Sequence, residues 1–295
     1  MKKRFTKHAS SHPQKPLSPA EQLLRDIGKK YTRRRADGMI VVRGELDLGK
    51  KNLLAHGKEL MTELPDLSGI VVLGNFRCSD NSLTSLKGCP QTVTGDFYCY
   101  GNLLESLEGA PEKVGGGFYC SFNRLKDLTG APKEIGGTLN CQSCETLLTL
   151  KGAPEIVPGD FLCHEGVLES LEGGPREVGG DFWVQKNNLR SIEHAPRAVG
   201  RFFYCHGNDC ITHLEGAPEK FVRLCSDIGD FDRPEDIPAE IRYSPATRAR
   251  QEEDRRRAAD EQLEKSVQDA TILSRPIAIQ KTALQLKPRA RRQGA

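Results

Sequence analysis

Seven prolines, Pro90, Pro111, Pro132, Pro154, Pro175, Pro196 and Pro218, recur along the middle of the chain at intervals of 21, 21, 22, 21, 21 and 22 residues. Repetition at a fixed period of that size is the signature of a solenoid, in which each unit buries its apolar face only by stacking on its neighbours. The unit reads Phe97-x-Cys99, Asn102, Leu104-x-x-Leu107, Gly109, Pro111, Val114, and returns as Phe118, Cys120, Asn123, Leu125 and Leu128, and again as Phe182, Val184, Asn187, Leu189 and Ile192. Alternation of Phe and Cys puts both on one face of a short strand, pointing into the coil. The Gly-x-Pro segment lacks a backbone donor and has a fixed φ, so it disfavours a helix and favours an extended or polyproline-like return path.

Over residues 70 to 225 this pattern resembles the leucine-rich repeat, L-x-L-x-x-N/C-x-L, with Phe and Cys in the two strand positions. The short, proline-bearing form is similar to repeats of bacterial type III secreted effectors and of bacterial and phage proteins. The expected fold is a β-rich solenoid, a leucine-rich repeat array of short parallel strands with a helical N-terminal cap and a C-terminal helix.

Two ladders follow from the register. Cys78, Cys99, Cys120, Cys141, Cys163 and Cys205 would form an inward column of small apolar side chains, and Asn81, Asn102, Asn123, Asn187 and Asn208 would satisfy backbone groups of the adjacent coil. Cys144 and Gly166 replace Asn in two coils, so the Asn ladder should be weakest mid-array.

The regions divide as follows. Residues 1–18 are expected to be a disordered basic N-terminus, 19–69 an N-terminal cap, 70–228 the solenoid, 229–274 a C-terminal cap with a charged helix, and 275–295 a disordered basic tail. Within the cap, residues 44–48 imitate a strand 30 residues ahead of Phe76, with helices expected over Pro19–Lys30 and Leu53–Glu63. Phe221–Cys225 reads as a final irregular strand. Ser244-Pro245 is a helix start, and Glu252/Arg256, Glu253/Arg257 and Glu261/Lys265 are i,i+4 pairs beside a thin stripe of Ala259, Leu263, Val267 and Ala270.

Charge is uneven. Residues 1–35 carry 11 Lys or Arg against 2 acids and residues 275–295 carry 6 against none; removing that +9 and +6 from the overall +3 leaves −12 for residues 36–274. Basic ends on an acidic body allow contact with nucleic acid or another acidic surface; the plainer alternative is solvated termini. No apolar run is long enough to span a membrane, and the basic first 16 residues lack the apolar core of a secretory signal. A reducing, cytoplasmic compartment is therefore expected for the ten cysteines, and the effector resemblance adds delivery into a host cell as an alternative.

No catalytic motif emerges. Cys141-Gln142-Ser143-Cys144 has the C-x-x-C spacing, but a zinc site needs a second ligand pair converging on it, and each cysteine of the column belongs to its own coil. Gly115-Gly116-Gly117 lacks the Lys-Ser/Thr and helix of a phosphate loop, and no metal spacing links the seven histidines. Some effectors with such repeats carry a ubiquitin ligase domain with a nucleophilic cysteine; no cysteine follows Cys225 here. Neither metal nor cofactor is expected.

The outward strand positions carry the functional signal. Arg77, Tyr98, Tyr119, Asn140, Leu162, Trp183 and Tyr204 form one row, and Ser79, Tyr100, Ser121, Gln142, His164, Gln185 and His206 flank it. Four of the seven in the first row are large aromatics, including the sole Trp, in a chain with only 6% aromatics. Such a stripe suits a protein interface; alternatively the rings simply pack against cross-strand neighbours. The expectation is a non-enzymatic interaction protein that binds a protein partner through Arg77, Tyr98, Tyr100, Tyr119, Asn140, Leu162, His164, Trp183, Tyr204 and His206.

Overall fold

The computed structural model describes residues 16–33 and 38–273, without the side chains of residue 264 and residues 266–273. The basic segments 1–15 and 275–295 lie outside the described residues. The chain divides into two units, one up to Ser244 and one from Pro245.

The first unit is a parallel β-solenoid of about seven turns. Each coil contributes two very short strands. The Phe-x-Cys strands form a ten-stranded front sheet running from Leu46–Asp47 through Phe76–Arg77, Phe97–Tyr98, Phe118–Tyr119, Leu139–Asn140, Phe161–Leu162, Phe182–Trp183 and Phe202–Tyr204 to Arg223–Ser226 and Gly229–Phe231. The register is strict: Phe97 pairs with Phe118 and Tyr98 with Tyr119, and the same alignment carries through to Trp183 and Tyr204.

The proline-bearing return path is more ordered than its sequence suggested. Directly after each Pro-x, the chain pairs as a second parallel strand, as at Lys113–Val114 with Glu134–Ile135 and Glu177–Val178 with Ala198–Val199. Proline supplies the extended entry and leaves the next residues free to donate. This back sheet is split into one group of six strands and one of three. The break lies between Ile135 and Ile156, beside the 22-residue coil whose extra residue follows Cys144.

Both sheets end in antiparallel strands. Thr32–Arg33 covers Ile40–Arg43 at the start of the back sheet, and Gly229–Phe231 covers Arg223–Ser226 at the end of the front one. A parallel edge left open would template association with another chain, and a reversed strand blunts it.

The interior is a set of rows, one residue per coil. Phe76, Phe97, Phe118, Phe161, Phe182 and Phe203 are fully buried, with consecutive rings 5.1–5.2 Å apart except where Leu139 interrupts them. Pairs such as Leu104 and Leu107 fill the second arm, and Val114, Val157 and Val178 the back sheet. Two corners per coil need left-handed backbone. The first precedes the Asn position and uses Asp80, Gly101, Phe122, Ser143, Glu165, Lys186 and Gly207; the second uses glycine in every coil but one, where His194 takes φ 66°.

The cap helices are shorter than expected. The first spans Pro19–Asp26, closed by a capping box between Ser18 and Glu21, so Ser18 is a built part of the cap and not of a disordered tail. The second spans Lys50–Ala55 instead of Leu53–Glu63, because Gly49 starts it and Gly57, at φ 65°, ends it. The second unit is a helix over Pro245–Leu273, with Arg256 on Glu252 at 2.6 Å and Leu263 largely exposed. Among the described residues no helix is long and apolar enough to cross a membrane.

Candidate functional site

The front sheet places Arg77, Tyr98, Tyr119, Asn140, Leu162, Trp183 and Tyr204 side by side along its outer face, all half-buried. Strand neighbours bring successive side chains close enough to pack on one another. Tyr98 and Tyr119 are stacked at 4.7 Å, and Tyr204 meets Trp183 edge-on at 5.0 Å. Asn140 and Leu162 separate these two aromatic groups.

The Tyr98 end is held by hydrogen bonds. Tyr98 donates to Asp96 Oδ2 at 2.9 Å, and the Arg77 guanidinium lies 4.1 Å from the Tyr98 ring centre while donating to the Tyr100 hydroxyl at 3.1 Å. Burial, with the Asp96 hydrogen bond beside it, pushes the Tyr98 phenol up to about 12.

The Trp183 end differs. Trp183 Nε1, His164 Nδ1 and Gln185 Oε1 are buried without a hydrogen-bond partner, and they lie in adjacent coils. The His164 and Trp183 rings are 5.6 Å apart, and His206 stands edge-on to Tyr204 at 6.3 Å. Glu165 Oε2 is 3.9 Å from His164 Nδ1, beyond hydrogen-bond reach. Burial lowers the His164 pKa, outweighing Glu165, so the imidazole is neutral at neutral pH.

The flanking row does not face uniformly outward. Ser79, Ser121 and Gln185 are buried, Tyr100, Gln142 and His164 half-buried, and His206 exposed. The left-handed corner comes directly after this position and turns the chain inward there.

Below this face the Asn side chains bridge coils. Asn102 Nδ2 donates to Cys78 O at 3.1 Å and to Cys99 O at 3.0 Å while its Oδ1 accepts from Leu83 N at 3.0 Å. Asn81, Asn123, Asn187 and Asn208 repeat the geometry. Cys78, Cys99, Cys120, Cys141, Cys163 and Cys205 are buried and unpaired by disulfide, and burial raises the thiol pKa of Cys78, Cys99 and Cys120 well above normal. Cys141 and Cys144 are likewise interior. Among the described residues no group of three or more His, Cys, Asp or Glu is placed to hold a metal ion.

A further ladder escaped the sequence reading. Asn75 Oδ1 accepts from Asp96 N, Asp96 Oδ1 from Gly117 N, Asp160 Oδ1 from Asp181 N and Asp181 Oδ1 from Phe202 N, at 2.7–3.1 Å. Its signal is the Asn or Asp after glycine in Gly74-Asn75-Phe76, Gly95-Asp96-Phe97, Gly159-Asp160-Phe161 and Gly180-Asp181-Phe182. Comparison with family models, with curated proteins and with solved structures finds no match for the chain.

Proposed function

We propose that this protein is a non-enzymatic interaction module of the short leucine-rich repeat type, which binds a protein partner through the outward aromatic row of its front sheet. One observation carries the reading: large rings are concentrated on a solvent-facing row, and at its Tyr98 end their geometry is fixed before any partner arrives. Tyr98 is pinned by Asp96, Tyr119 and Arg77, so little side-chain entropy is lost when it is covered. Tyr and Trp bury large areas with few rotatable bonds, which makes them the usual anchors of protein interfaces. The Leu-x-x-Leu arms and bridging asparagines support the leucine-rich assignment.

The test compares capture of partners by the intact protein, by a Tyr98→Ala, Tyr119→Ala, Trp183→Ala, Tyr204→Ala variant shown to be folded, and by residues 16–273 alone, each at two salt concentrations. Capture that is lost in the aromatic variant and insensitive to salt supports the reading. Capture that follows the basic ends and collapses with salt, as counterion release demands, assigns binding to those ends instead.

A further inference from the structure

The outward row has two chemically different ends. Around Tyr98 the polar tips are already paired, with Tyr98 on Asp96 and Tyr100 on Arg77. Around Trp183 they are not. Of the four buried side-chain polar atoms without a partner among the described residues, three are Trp183 Nε1, His164 Nδ1 and Gln185 Oε1; the His164 ring lies 5.6 Å from Trp183, and Gln185 follows Trp183 across the inward Val184. Buried polar groups are nearly always satisfied, so three orphans in neighbouring coils mark a place where pairing comes from elsewhere.

Their chemistry specifies what can pair them. The indole Nε1–H only donates, and the Gln185 Oε1 only accepts. One residue of an extended peptide, whose own C=O and N–H point to the same side, can offer an acceptor to the indole and a donor to the carboxamide. The charged residues of these coils already have partners: Lys186 pairs with Glu165 at 2.9 Å, Arg201 with Asp181 at 3.4 Å, and Asp160 Oδ1 accepts from Asp181 N at 2.8 Å. Trp183 is in register between Leu162 and Tyr204, with the Tyr204 ring against it at 70°. The bordering rings of His164, Trp183, Tyr204 and His206 are half-buried or exposed, so only side chains stand between solvent and the three polar atoms.

We infer that the His164, Trp183 and Gln185 patch is the recognition centre of the front sheet and takes a neutral extended peptide segment, whose backbone C=O and N–H pair with Trp183 Nε1 and Gln185 Oε1. This rests on the aromatic-face reading of the preceding subsection and deepens it.

Trp183 is the sole tryptophan, so its indole N–H gives one nitrogen-proton resonance that reports on this patch alone. The protein is titrated with an uncharged capped alanine tetrapeptide at millimolar concentration, with methyl glucoside and sodium acetate as separate arms. Saturable movement of the indole signal by the peptide alone is expected, with binding weakened about tenfold in Gln185→Leu and unchanged in Glu112→Gln, an exposed position of the return path. Dispersed backbone resonances in each variant establish that it is folded.

An indole signal that the peptide leaves in place overturns the proposal. A larger response to glucoside or acetate overturns it in favour of a glycan or an anion. Unweakened binding in Gln185→Leu removes the amide pairing. Loss of the peptide response while partner capture still needs the aromatic row sinks this inference alone; a peptide response with capture that follows the basic ends sinks only the broader reading.

Discussion

Cys144 occupies the corner that Asn123 occupies one coil earlier, and where Asn123 Nδ2 reaches Cys99 O at 3.1 Å, the Cys144 thiol stands 3.7 Å from Cys120 O. The corner itself is the same, since Ser143 before Cys144 has φ 52° and Phe122 before Asn123 has φ 54°. An amide at position 144 can therefore donate to Cys120 O and offer its oxygen to Leu125 N, as Asn123 does to Leu104 N at 3.0 Å. Cys144→Asn is expected to stabilise the fold by about 1 kcal/mol, and Asn123→Ala to cost about 2 to 3 kcal/mol because it strands a buried amide and two carbonyls. Urea unfolding of the three proteins decides it; a lower midpoint for Cys144→Asn refutes the ladder as a stabilising device.

This corner also shows why much of the fold was legible in the sequence. Inward and outward positions alternate with period 2 in strands of two to four residues, so Phe97, Tyr98 and Cys99 declare their faces without long-range information. The Asn position is fixed by counting from Cys. The back sheet was harder to see, because proline signals an extended chain but not what that chain bonds to. Helix ends were misplaced where glycine, and not the apolar pattern, sets the boundary, as at Gly49 and Gly57. The two ends of the aromatic row could not be told apart from residue types. Whether Trp183 Nε1 finds a partner depends on side-chain placement across adjacent coils.

His194 is the one residue of the second left-handed corner that is not glycine. Gly109 holds the equivalent place with φ 95°, where an added Cβ would lie 2.7 Å from Lys87 N. His194→Gly is expected to relieve the strain and raise stability by about 1 kcal/mol, partly offset by a more flexible unfolded chain. Gly109→Ala should cost more than that, since Cβ meets backbone on top of an unfavourable φ. Thermal melts of both variants test the pair, and equal effects of the same sign would contradict the assignment of this corner.

Thiol accessibility separates the cysteine column from reactive cysteine. Cys210 is exposed and Cys225 half-buried, while the other eight cysteines are buried, with burial pushing Cys89 and Cys144 up to about 12. The thiolate is the nucleophile, so both access and ionisation protect the column. A chromogenic disulfide reagent should titrate one thiol quickly and a second slowly in the native protein, and all ten in denaturant. Rapid native labelling of three or more would mean that the column opens.

The N-terminal cap makes stability depend on pH through Glu21. Its nearly buried carboxylate accepts from Ser18 N and Ser18 Oγ at 3.1 Å, from Tyr31 Oη at 3.2 Å and from Arg33 Nη2 at 2.6 Å. The Ser18 backbone hydrogen bond holds its pKa below the ordinary glutamate value, against the opposing effect of burial. With the folded value depressed, the unfolded chain binds more protons in acid. The carboxylate therefore contributes fully above the unfolded pKa of about 4.3, and its contribution is lost as pH falls through the lower folded value. Glu21→Gln is expected to cost about 1 to 3 kcal/mol near pH 7. That difference from the wild type should shrink as pH falls below about 4, where the wild-type carboxylate is protonated as well. Urea midpoints at four pH values measure it. A gap that stays constant down to pH 3 would show that Glu21 acts through shape and neutral hydrogen bonding, and that the Arg33 and Ser18 contacts to its charge contribute nothing.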